Sequence, residues 1–222
     1  MTLTRRRFLE TAAALALTAA AAAALARTPF GLVSEAAAQA PSAEDLAMAG
    51  PLGDKVEGKD DAPVTIIEYA SMTCGHCAQF AATTFPKLKE KYIDTGKVRF
   101  ILREFPLDPI AAAGFMIARC AGDDKYFAVV DALFARQRDW AYATDPVAGL
   151  QTMAKQFGFT QETFEACLTN QEMLDGINAV RARGAEKFGV NSTPTFFING
   201  KIQRGAIGFE DLEKILEPLL KA

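Results

Sequence analysis

Strand-forming sequence occurs in two separated blocks of this chain, and the residues between them, 108–187, carry only helical patterning. In the first block, Val64-Thr65-Ile66-Ile67-Glu68-Tyr69 is a β-branched, apolar run after Ala62-Pro63 and reads as a buried strand. A helix is expected over 74–92, where Cys77, Ala81, Phe85, Leu88 and Tyr92 share one face, with a kink at Pro86. Val98-Arg99-Phe100-Ile101-Leu102 then forms a second strand, parallel to the first because a helix connects them. In the second block, Thr195-Phe196-Phe197-Ile198 leads through Asn199-Gly200, a two-residue hairpin signal, into Lys201-Ile202-Gln203-Arg204. A last amphipathic helix is expected over 209–220. The intervening helices are expected over 109–121, 123–138, 146–157, 160–168 and 171–188. Their breaks fall at Gly122-Asp123, Thr144-Asp145-Pro146, Gly158 and Thr169-Asn170. The order βαβ, helices, ββα predicts one α/β fold whose halves, 61–107 and 188–222, are interrupted by an all-helical insertion, 108–187.

The residues before 61 read as an address and a tether. Thr4-Arg5-Arg6-Arg7-Phe8-Leu9 precedes an Ala- and Leu-rich run to Ala26 that lacks the polar face of a surface helix and is short for a bilayer span. A charged start, an apolar centre and small residues at a cut site describe an export signal over 1–38, cleaved after Ala38. The segment resembles the twin-arginine signal, with Glu10 where that pattern has Lys. Residues 39–60, whose first part is rich in Ala, Gly and Pro, are expected to be an N-terminal tether. Removal of 1–38 leaves 20 basic and 25 acidic residues, a surface that argues against nucleic acid as a partner. The destination implied is the oxidising periplasm, where an even number of cysteines reads as disulfides.

The chemistry concentrates in Cys74-Gly75-His76-Cys77, at the junction of strand and helix. The first turn of a helix offers unpaired N–H groups and the positive end of the dipole, so a thiolate at Cys74 is stabilised there. His76 can add to that stabilisation while the disulfide is open. A zinc site would need two further ligands, but the remaining cysteines, Cys120 and Cys167, are isolated in helical segments and the chain has 1 His, inside the motif. A purely structural bridge over so short a loop gains little entropy. Redox exchange between Cys74 and Cys77 is the reading that remains. Cys120 and Cys167 are expected to form a structural disulfide, the alternative being two buried free thiols. Trp140 and Tyr142 are expected to pack, the alternative being the wall of a substrate groove.

Glu68-Tyr69-Ala70-Ser71-Met72-Thr73-Cys74-Gly75-His76-Cys77, taken with Val190-Asn191-Ser192-Thr193-Pro194-Thr195-Phe196-Phe197-Ile198-Asn199-Gly200, resembles the DsbA family of thiol–disulfide oxidoreductases. The likeness is strong over 60–107 and 188–220, and 108–187 matches in position and length. It implies a thioredoxin fold carrying a helical insertion. It also implies a cis Thr193–Pro194 bond facing Cys74, with Thr193 offering its backbone to an extended substrate peptide. Glu68 would lie beneath the site and move the proton of the buried Cys77; Arg103 is a conceivable counter-charge, and exposure of Glu68 to solvent through strand alternation is the alternative. The dipeptide Gly75-His76 departs from the Pro-His of the best-known members and matches protein disulfide isomerase, which leaves the strength of oxidation open.

The resemblance implies a dithiol oxidase acting on reduced exported polypeptides, reoxidised by a membrane quinone-linked partner resembling DsbB, with no nucleotide or metal cofactor. A disulfide isomerase or reductase, a peptide-binding chaperone with a structural disulfide, and a metal-handling thiol protein remain as alternatives.

Overall fold

The computed structural model describes residues 41–221, so the expected export signal, 1–38, lies outside the described residues. A short helix, α1 (Ala43–Ala47), and a strand, β1 (Lys55–Glu57), precede β2 (Val64–Ala70). Helix α2 (Gly75–Thr83) continues as α3 (Phe85–Leu88) and a π-helical turn, Lys89–Ile93, before β3 (Val98–Glu104). The insertion holds α4 (Pro109–Cys120), α5 (Tyr126–Ala135), α6 (Gln137–Trp140), α7 (Pro146–Lys155), α8 (Gln161–Leu168) and α9 (Gln171–Phe188). The hairpin β4 (Thr195–Ile198) and β5 (Lys201–Arg204) then leads to α10 (Phe209–Leu219).

The strands form one sheet in the order β1-β3-β2-β4-β5. β2 and β3 are parallel, with Glu68 beside Leu102, and β4 runs antiparallel to β2, with Phe196 beside Glu68. Asn199 at φ 43° and Gly200 at φ 83° turn the chain between β4 and β5, a left-handed pair that Asn-Gly tolerates better than other dipeptides. This is the α/β architecture of a thioredoxin fold with a helical insertion.

Both faces of the sheet are covered. Val64, Ile66, Phe100, Leu102, Phe196 and Ile198 belong to the larger core, with α2, α10 and most of the insertion. Ile67, Tyr69, Ile101 and Phe197 pack instead with Leu46 of α1 and with Val180 and Phe188 of α9. Gly114 lets α4 pass close to the active-site segment: a Cβ there would lie 2.9 Å from the Trp140 ring and 3.1 Å from the Met72 side chain.

Three local expectations change. The helix expected over 123–138 begins at Tyr126 and breaks at Arg136, whose backbone at φ −114° and ψ 27° separates α5 from α6. The break in the first long helix falls at Thr84, whose hydroxyl donates to the Ile207 carbonyl at 2.9 Å. Pro86 sits just after it, in the first turn of α3, where its missing N–H is not needed. The segment expected as a tether, 39–60, is bound to the fold from α1 onward. β1 pairs antiparallel with β3, and Arg103 donates to the carbonyls of Leu46 at 2.8 Å and Met48 at 3.1 Å. Arg183 reaches the Met48 carbonyl at 2.8 Å. Two arginines from distant elements thus satisfy carbonyls that a free tether would leave to water.

Cys120 at the end of α4 and Cys167 in α8 have their sulfurs 2.09 Å apart, at a sequence separation of 47. Closing a loop of that length restricts the unfolded chain by about 4 kcal/mol in the chain-entropy model. The double substitution Cys120→Ala, Cys167→Ala is therefore expected to lower the urea midpoint by an amount equivalent to about 2–4 kcal/mol. Reduced wild type unfolding at the same midpoint as oxidised wild type would contradict it.

Candidate active site

The segment between β2 and α2 carries the motif. Cys74 is the N-cap of α2, with φ −81° and ψ 117°, and no side chain caps the helix. The amides of the first turn are therefore left to face the Cys74 sulfur. The S–H of Cys77 and these amides pull the Cys74 thiol down to about 5, with Thr193 adding to the effect and burial opposing it. Cys74 is 9% exposed, whereas Cys77 is 0% exposed. Burial pushes the Cys77 thiol far up, and its hydrogen bond to Cys74 and the charges of Glu68 and Cys74 push the same way. Two sulfurs three residues apart are thus driven in opposite directions: one is a stable thiolate at neutral pH and the other a thiol.

Thr193–Pro194 is a cis peptide bond, and the Thr193 carbonyl lies 3.2 Å from the Cys74 sulfur. The loop before β4 and the start of α2 thus meet at Cys74, although they are 119 residues apart. His76 stands exposed on the first turn. Among the groups that lower Cys74, His76 acts through its backbone amide.

Glu68 is 4% exposed. Alternation along β2 puts it on the face of Val64, Ile66 and Ala70, which α2 covers. It therefore points into the core beneath the motif and not to solvent. Burial first, and the Cys74 charge second, push its carboxyl up to about 8. The expected counter-charge, Arg103, does not serve it. Arg103 lies one position beyond Leu102, the neighbour of Glu68, and so points to the opposite face. There it holds Asp54 through Nε at 2.9 Å and Nη2 at 2.8 Å, and Tyr69 at 3.3 Å.

Several residues position the motif through contacts that the sequence does not signal. Gln137 of α6, buried, donates to the carbonyls of Met72 at 2.8 Å and Cys74 at 3.1 Å. Tyr142 donates to the Thr73 carbonyl at 2.5 Å, and the Thr73 hydroxyl donates to Asp108 at 2.5 Å. The insertion thereby holds three consecutive residues ahead of the helix. Trp140 is packed as expected, its Nε1 donating to the Leu133 carbonyl at 2.8 Å. Tyr142 is not: it is 63% exposed, with its ring at the rim of the site. A polar or aromatic residue in a helical block carries no signal of such contacts, because they join elements far apart in the chain.

A thioredoxin family model matches residues 52–218. A candidate protein-disulfide oxidoreductase of Rickettsia felis is 32% identical over 171 residues, which cover 76% of this chain and 60% of that one. The chain thus spans about three fifths of the length of the first such relatives it matches. "Probable disulfide bond formation protein D" of Bacillus anthracis is 30% identical over 173 residues, covering 74% of this chain and 77% of that protein. The crystal structure of Wolbachia pipientis alpha-DsbA1 superposes with a TM-score of 0.74 at 32% identity, covering 81% of this chain and 96% of that one. With a site built around one acidic and one suppressed thiol, these likenesses establish that the chain belongs to the DsbA family of thioredoxin-fold thiol–disulfide oxidoreductases.

Proposed function

We propose that this protein oxidises paired thiols in exported polypeptides through a disulfide between Cys74 and Cys77. The observation that carries the reading is the opposed environment of the two sulfurs, with Cys74 held down to about 5 and Cys77 pushed up. A substrate thiolate attacks Cys74 and forms a mixed disulfide, and Cys77 departs. Glu68, protonated at neutral pH, gives its proton to the Cys77 sulfur. A second substrate thiolate attacks its own mixed-disulfide sulfur, so the substrate leaves oxidised and Cys74 leaves as a thiolate. Two electrons pass from substrate to enzyme; both substrate protons go to solvent, and the proton that Cys77 gains is the one Glu68 gave, which leaves Glu68 a carboxylate. Thr193 and Pro194 present the substrate backbone to Cys74, and His76, exposed beside the motif, offers a donor to the Cys74 sulfur as it leaves the substrate. The Cys120–Cys167 bridge fastens α4 to α8 and takes no part in exchange.

A quinone-linked membrane partner resembling DsbB would reverse the sequence, with Glu68 as carboxylate taking the Cys77 proton. The setting is the periplasm, reached through a twin-arginine signal over 1–38. No nucleotide or metal enters these steps.

Oxidising strength follows from the same environment. Stabilising a thiolate favours the reduced enzyme, and each pKa unit gained at the working pH raises the potential by about 30 mV. Equilibration with glutathione should place the couple well above the about −270 mV of thioredoxin. A value at or below that level would sink the oxidase reading and leave a reductase. Gly75-His76 is the feature that favours a value nearer protein disulfide isomerase, about −180 mV, than DsbA, about −120 mV.

A further inference from the structure

A groove of ≈ 460 Å³ runs beside the motif, in the crease between α2 and the junction of α5 with α6. Gly75 and Gln79 of α2 line one side, and Arg136, Gln137 and Arg138 line the other. The volume falls within the about 300–1,000 Å³ of ligand-binding clefts. Gly75 directly follows Cys74, so the groove begins beside the residue to which a substrate would be joined.

Gln137 shows what this groove can hold. The residue is 7% exposed. Its Nε2 donates to the carbonyls of Met72 and Cys74, and two acceptors on that side fix which end of the amide is nitrogen. The amide oxygen then points the other way, and it has no hydrogen-bond partner among the described residues. Nor does it belong to the fully enclosed polar atoms that lack a partner. A fixed acceptor on the groove wall, buried up to its tip, is open to an N–H from outside. An extended peptide supplies such a donor at every residue except proline.

The charges in the groove do not cancel. Arg136 Nε is held by Asp139 Oδ2 at 2.7 Å, and Asp139 is the carboxylate in the lining. Arg138 is exposed and makes no ion pair among the described residues. The groove thus presents one uncompensated cation, on a chain with more acidic than basic residues. An acidic side chain that the protein's overall charge repels would find its one nearby partner here.

We propose that this groove is a substrate subsite on the insertion side of Cys74: Gln137 Oε1 accepts a backbone N–H from the segment next to the substrate's reactive cysteine, and Arg138 selects an acidic side chain in that segment. The proposal rests on the reading of Cys74 as the sulfur to which substrates are joined. Thr193 belongs to the loop before β4 and Gln137 to α6, so the thioredoxin half and the insertion each supply one backbone contact. No covalent bond is made or broken in the groove. It changes how fast a substrate is captured and leaves the potential of the Cys74–Cys77 couple alone.

The test is stopped-flow reduction of the oxidised protein by dithiol peptides that are identical except for Glu, Gln or Lys at the positions flanking the thiols. At low salt, wild type should react about three- to ten-fold faster with the Glu peptide than with the Lys peptide, and the difference should shrink at high salt. Arg138→Gln should lose most of this preference at an unchanged reduction potential, and Arg138→Glu should invert it. Lys201→Glu makes the same change in net charge at the end of the sheet away from the motif, and should keep the preference. For Gln137, esters replace the backbone amides of the peptide one at a time. One ester beside the cysteine should slow wild type and cost Gln137→Met nothing further. Equal rates for the Glu and Lys peptides in wild type, or a preference that Lys201→Glu loses as fully as Arg138→Glu, would overturn the role of Arg138 and leave dithiol oxidation standing. An ester scan that slows wild type and Gln137→Met alike at every position would overturn the Gln137 contact. A wild type that oxidises none of the peptides would sink the oxidase reading on which the subsite rests.

Discussion

Replacing Cys74 by serine is expected to reduce thiol oxidation to the uncatalysed background, a loss on the order of 10³-fold or more, while Cys77→Ser stops the cycle at a different point. Serine at 74 removes the sulfur that the substrate attacks and the thiolate that leaves. Serine at 77 leaves the acidic Cys74 in place but removes the sulfur to which it bonds. Cys77→Ser should therefore accumulate covalent complexes with oxidised thiols or disulfide-bearing peptides, visible as added mass on non-reducing analysis. The two phenotypes differ because the fold treats the sulfurs differently: the N-cap position and the Thr193 contact serve Cys74, whereas Cys77 is wholly enclosed. Equal trapping by both single variants would refute the division of labour. Full assistance to a cysteine-free client by Cys74→Ser would point to a peptide-binding chaperone.

Glu68→Leu is expected to stabilise the reduced protein and to slow its chemistry. The carboxyl is raised from 4.5 to about 8 by burial and by the Cys74 charge. A raised carboxylate weakens the fold as pH climbs. The unfolded chain ionises Glu68 freely above about 4.5, and the folded one does so only near 8. The stability attributable to Glu68 is therefore whole below 4.5, falls through the interval, and is lowest above 8. Wild type and Glu68→Leu should unfold alike at pH 4, and the variant should gain up to about 4 kcal/mol by pH 8. The gain should shrink in oxidised protein, where Cys74 carries no charge. The cost is catalytic, since Cys77 must leave without a proton donor, and turnover should drop most at neutral pH. Denaturant melts of both redox forms at pH 4 and pH 8 test the sign; a variant less stable than wild type at pH 8 contradicts it.

Elements with their own periodicity and their own stop signals could be read in order along the chain. β2 and β3 are β-branched and apolar, the helices of the insertion other than α5 and α6 end near the Gly, Pro and Asn positions expected, and Asn199-Gly200 makes the hairpin; the break at Arg136 between α5 and α6 carries no such signal. The motif at Cys74 was legible for the same reason: a cysteine beginning a helix meets unpaired amides whatever surrounds it. β1 was not legible, because three residues reading Lys-Val-Glu become a strand only by pairing with β3. Nor was α1, where one buried leucine docks on the far face of the sheet.

The direction of Glu68 and Arg103 could not be settled along the chain, since alternation distinguishes two faces but does not say which is wet, and here both are covered. The same holds for Gln137, Tyr142 and Asp108, whose contacts with the motif join the insertion to a loop 35 to 69 residues away. Local patterning sets which backbone forms and where a thiolate is favoured. Long-range packing decides which side chains are sealed from water, and so which groups must borrow their protons from others.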